Sequence, residues 1–148
     1  MENNMTMDLN KFFELFGSGS EDAKAKKEVE SFKKTPSFKV AMFIKLVTNG
    51  MNFRKQVVNF FSKTSFKGED ITDIDLTGEF MIYNRGWYWI SQIDWDDQRW
   101  MEALKDSKGD ELLVALKLSI HYFEECEEYE KCAVLKKIQD FVEKNLEA

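Results

Sequence analysis

The sequence predicts an α+β fold: a mainly helical single domain, 1–148, with one antiparallel β-hairpin at about 71–93 and a C-terminal helical hairpin. Three observations predict it. Apolar residues recur at three- and four-residue spacing on both sides of the chain's middle, the period of helices that share a core. Past Gly68 the period falls to two, the mark of a half-buried strand. Asn84-Arg85-Gly86 then supplies a hairpin loop, with Gly placed for the left-handed position.

Taken in order, Leu9, Phe12, Phe13 and Phe16 form the stripe of a first helix, and Gly17-Ser18-Gly19-Ser20 is a flexible link (1–20). A basic helical part spans 21–67. Its first helix, about 21–34, is mostly charged, with only Ala25, Val29 and Phe32 as an inner face. Thr35-Pro36 suits a helix start, since proline is favoured at the first helical position. The stripe Val40, Phe43, Ile44, Val47 extends that helix to about 48. Asn49-Gly50 reads as a break before a helix at 51–63 with Phe53, Val57, Phe60 and Phe61.

An acidic part, 69–106, holds the hairpin and one helix. Ile74, Leu76, Phe80 and Ile82 fall on one side of the expected strand, and Asp73, Asp75, Glu79 and Tyr83 on the other. Asp94 is placed to cap a helix at 95–106. The closing helical hairpin, 110–148, carries Leu112, Leu116, Ile120 and Phe123 on one arm and Cys132, Leu135, Ile138 and Val142 on the other.

The net charge of −6 hides two blocks. Residues 23–67 carry 11 Lys and Arg against Glu28 and Glu30; residues 69–130 carry 17 Asp and Glu against five basic groups. Such asymmetry either joins two faces of one fold or marks surfaces for charged partners.

Several function classes drop out. No uncharged run approaches the ~20 residues of a membrane span, so no membrane partner is expected. Met1-Glu2-Asn3-Asn4 is no secretory start, and a cytoplasmic protein is expected. Cys126 and Cys132 lack the spacing of a zinc pair and are too few for a disulfide framework. His121 is the one histidine, within an apolar helix, and no nucleophile elbow or phosphate-binding glycine loop accompanies it. Glu69, Asp70, Asp73 and Asp75, with Asp94, Asp96 and Asp97, could hold a hard cation, but they do not follow a calcium-loop spacing and suit helix starts. No enzyme activity, cofactor or metal is expected.

What remains is binding. Trp87, Tyr88 and Trp89 are consecutive, so on a strand they cannot all face the core. With Asp94, Trp95, Asp96 and Asp97 they form the expected contact with another protein, making the chain a small adaptor or regulator that docks on a larger partner. Two alternatives stand beside this. Lys33, Lys34, Lys39, Arg54 and Lys55, interleaved with Phe, are candidate contacts for nucleic acid or phosphate. The acidic half could instead imitate nucleic acid, as inhibitors carried by phages and mobile elements do. Finally, Tyr129-Glu130-Lys131-Cys132-Ala133-Val134-Leu135-Lys136-Lys137-Ile138 resembles part of a UVR-type helical hairpin, a docking module of repair and protease-adaptor proteins. That resemblance implies protein interaction.

Overall fold

A computed structural model describes residues 19–64, 68–107 and 109–147. They form six helices: α1 (Gly19–Lys33), α2 (Pro36–Ser62), α3 (Gly68–Ile90), α4 (Gln98–Asp106), α5 (Gly109–Glu125) and α6 (Tyr129–Glu147). No strand occurs among the described residues, so the α+β expectation is corrected to an all-helical fold. The helix expected at about 9–16 lies outside the described residues. The chain divides into two units after Thr35. In the first, α1 is a charged helix whose Val29 and Phe32 are both exposed.

The second unit begins at Pro36. Its core is made by Val40, Phe43 and Val47 of α2, Ile90 of α3, Trp100 and Leu104 of α4, Leu112, Leu116 and Phe123 of α5, and Leu135 and Ile138 of α6, all nearly or wholly buried. On α5 the buried positions 112, 115, 116, 119, 120 and 123 follow the helical period. Ser119 can join them because its hydroxyl donates to the Ala115 carbonyl at 2.8 Å. α5 turns back into α6 through Cys126–Glu128, and Lys136 reaches Glu124 across the pair at 3.1 Å.

Two corrections concern α2 and α3. The expected break at Asn49-Gly50 is absent, and α2 runs through it for 27 residues. The expected hairpin at 71–93 is instead α3 and the short link after it. One cause underlies both. α2 and α3 pack antiparallel, and the glycines lie where their backbones approach. A Cβ on Gly50 would sit 2.7–2.9 Å from three side-chain carbons of Ile82. One on Gly86 would sit 3.1 Å from Val47 and 3.3 Å from Phe43. These residues mark close approach, not turns. The inner row of α3 is Ile74, Gly78, Ile82, Gly86, Ile90, a four-residue period in which glycines replace apolar side chains. Asn84, expected in a loop, donates its amide to the Phe80 carbonyl one turn earlier at 2.9 Å.

The core ends partway along this helix pair. Buried residues of α2 stop at Val47, and those of α3 begin at Tyr83. The remaining 48–62 stretch of α2 is about 22 Å long at 1.5 Å per residue. With the first half of α3 it forms an arm beyond the core.

Candidate functional site

The residues expected to bind a partner are mostly committed to packing. On a helix, Trp87, Tyr88 and Trp89 point about 100° apart. Trp87 is half-buried, edge-on to Phe123 at 6.1 Å, with the Lys131 ammonium 5.6 Å from its ring. Trp89 lies edge-on to Phe38 at 5.5 Å, and its buried indole N–H has no acceptor. Trp95 is half-buried against Phe141 at 5.7 Å, with the Lys137 ammonium over it at 4.6 Å. Only Tyr88 is largely exposed among these four.

The three aspartates shape the link into α4. Asp94 accepts the Asp96 N–H at 3.0 Å. Asp97 is the N-cap of α4, accepting the Arg99 N–H at 2.9 Å and pairing with the Arg99 guanidinium, also at 2.9 Å. Those hydrogen bonds hold the Asp97 carboxyl below its ordinary range.

The basic candidates belong to both units. Lys33 and Lys34 follow one another at the end of α1, in the first unit, where Lys33 lies 3.8 Å from Glu30. Lys39 stands 6.0 Å from the Trp100 ring. Lys55 is exposed on the arm. Arg54 is engaged: Nε donates to Asp75 at 2.8 Å and Nη2 to Glu79 at 3.3 Å. This is where the basic and acidic blocks meet, and the Asp75 hydrogen bond raises the Arg54 pKa.

Beside that ion pair a groove of about 720 Å³ runs between the arm and α5, past Tyr83, His121, Tyr122 and Cys126. Tyr83 and Tyr122 stack at 4.5 Å, and the Tyr83 hydroxyl meets the Met51 sulfur at 3.3 Å. Burial, then a hydrogen bond with Cys126, pushes the Tyr122 phenol up to about 12. Burial also raises the Cys132 thiol, which donates to the Ile120 carbonyl at 3.6 Å. His121 is exposed, 3.7 Å from Glu125. The groove therefore holds protonated phenols and a neutralised guanidinium. Among the described residues, no three His, Cys, Asp or Glu side chains converge as metal ligands, and no helix is long and apolar enough to cross a membrane.

The surface missed by sequence reading is the opposite, outer face of the arm. Phe53 and Met81 expose 65% and 59% of their surface there, and Phe60, seven residues after Phe53 on α2, exposes 64%. Between the helices lies a mostly apolar groove of about 260 Å³, lined by Phe53, Val57, Ile74 and Met81 and by the ion-paired Arg54 and Asp75. The available signal was helical spacing: Phe53, Val57, Phe60 on α2 and Ile74, Met81 on α3.

Compared with family models, curated proteins and solved structures, the chain finds no match, so the short UVR-type likeness at 129–138 has no family match behind it.

Proposed function

We propose that the chain is a small, non-enzymatic protein-interaction module, and that it docks through the outer face of the α2–α3 arm. One observation carries this: Phe53 and Met81 stand exposed on the rim of an apolar groove, with exposed Phe60 two turns beyond Phe53 on α2, on helices that have left the core. Singly exposed apolar residues are ordinary, but a contiguous apolar patch characteristically marks a protein contact. The proposed contact moves away from Trp87–Trp89 and Asp94–Asp97 onto both helices of the arm, with Phe53 and Phe60 in the basic part of the sequence and Met81 in the acidic part. Its secondary structure changes the residues presented: α3 offers Met81 and Tyr88 outward and turns its tryptophans inward.

Cross-linking through lysine, mapped by mass spectrometry, tests the reading. Lys63 lies at the end of the arm. Inter-chain cross-links from Lys63 are expected in the wild type and are lost in Met81→Glu, with the helical circular dichroism unchanged. Cross-links that map only to α4–α6 in both proteins would show the arm to be no docking surface.

A further inference from the structure

We infer that the occupant of this face is a second copy of the same chain, docked arm to arm with α3 antiparallel to α3; this rests on the docking reading above. The outer stripe of α3 reads Asp70, Ile74, Thr77, Met81, Arg85, in steps of four, three, four and four residues; half-buried Ile74 is its edge, shared with the row that meets α2. It is acidic at one end, basic at the other and apolar between.

A twofold axis reverses the helix against itself. With the axis beside Thr77, between residues 77 and 78, Asp70 faces Arg85 of the other copy and Ile74 faces Met81. Each contact then occurs twice, as an isologous interface requires. The short Thr77 side chain falls at the crossing point, where the helix axes come closest. Asp70 and Arg85 are both exposed, and among the described residues neither has an ion partner. Phe53 borders the groove from α2, so two docked arms make a four-helix bundle that covers it. A foreign helix would have to bring a base opposite Asp70 and an acid opposite Arg85 at this spacing. A second copy brings both.

Sedimentation velocity of the full chain over roughly 1 to 100 μM tests this. A concentration-dependent dimer is expected. Arg85→Glu and Asp70→Lys should each weaken it roughly tenfold or more, since each reverses both ion pairs at once. An equimolar mixture of the D70K and R85E chains should recover dimer, because the mixed pair has two opposite-charge contacts. Arg85→Glu alters an exposed mid-helix position, so its circular dichroism should be unchanged even if Asp70→Lys frays the first turn of α3. A wild type monomeric throughout, dimers indifferent to both reversals, or a mixture that fails to recover overturns the inference. If the wild type is monomeric while Met81→Glu still abolishes Lys63 cross-links to another protein, self-pairing is wrong and the docking reading stands.

Discussion

Glu127 occupies a position made for glycine. Its φ is 59°, inside the left-handed region, where it ends α5. The Glu128 N–H bonds the Phe123 carbonyl at 2.9 Å, and the Glu127 N–H bonds the Glu124 carbonyl at 3.0 Å. That pair of bonds is the Schellman ending of a helix. A side chain there costs about 1–2 kcal/mol, and glycine returns part of that gain as extra freedom in the unfolded chain. Glu127→Gly should therefore stabilise the fold by about 0.5–1 kcal/mol, seen as a higher urea midpoint at constant m-value. A lowered midpoint would mean the glutamate makes a contact worth more than its strain. Tyr122 gives a second prediction at this scale. Burial and Cys126 favour its neutral phenol, so the fold keeps a proton that the unfolded chain loses above the ordinary value of 10.0. Stability must fall as pH rises from 10.0 towards about 12. Tyr122→Phe should flatten that decline, and an unchanged slope would place the titration elsewhere.

The packing of α2 on α3 depends on three glycines that differ in the space around them. At Gly50 the neighbour is the stiff, branched Ile82, at 2.7–2.9 Å from an added Cβ. At Gly86 the neighbours are Val47 and Phe43, both within the core. At Gly78 an added Cβ meets only Arg54 at 3.6 Å, an ordinary contact. Alanine is the better helix former by about 1 kcal/mol. Gly78→Ala should thus stabilise by up to about 1 kcal/mol. Gly50→Ala and Gly86→Ala should lose about 1–3 kcal/mol to overpacking. Urea denaturation in the R85E background, where association is suppressed, reads all three. Equal effects would contradict the close approach. The same glycines explain how legible these elements were. The stripes of α5, α6 and the first half of α2 could be read because most of their core positions carry a large apolar residue. The inner row of α3 could not, because two of its five members are glycine. Its neighbours Asp75 and Glu79 are acids held by Arg54, so Ile74, Leu76, Phe80 and Ile82 looked like alternation. Only Ile74, Ile82 and Ile90, eight residues apart, kept the helical signal. The outer stripe depends on the rotation of α3 and was unreadable until its helix was known.

For the second unit, stability is unevenly distributed by construction. Every fully buried large side chain belongs to the base of the arm or to α4–α6. The distal halves of α2 and α3 bury none, although they carry Phe53, Phe60, Leu76, Phe80 and Met81 in largely exposed positions. Two helices alone hold each other weakly, since most helical stability comes from tertiary packing. The Arg54–Asp75–Glu79 cluster fixes their register, and Arg54 and Asp75 line the apolar groove without closing it. Hydrogen exchange should show this gradient. At about 1 μM, amides of 52–62 and 70–80 should exchange well before those of 40–47 and 112–123, because segments with few buried contacts open locally. Association binds only the closed arm, and a ligand at a hundredfold over its Kd stabilises what it binds by about 2.7 kcal/mol. Raising the protein to about 100 μM should therefore slow exchange in the arm and leave the α5 core unchanged, and Arg85→Glu should remove that concentration dependence. An arm protected equally at both concentrations would mean that the helix pair is stable without a second copy, and that its exposed phenylalanines are tolerated rather than covered.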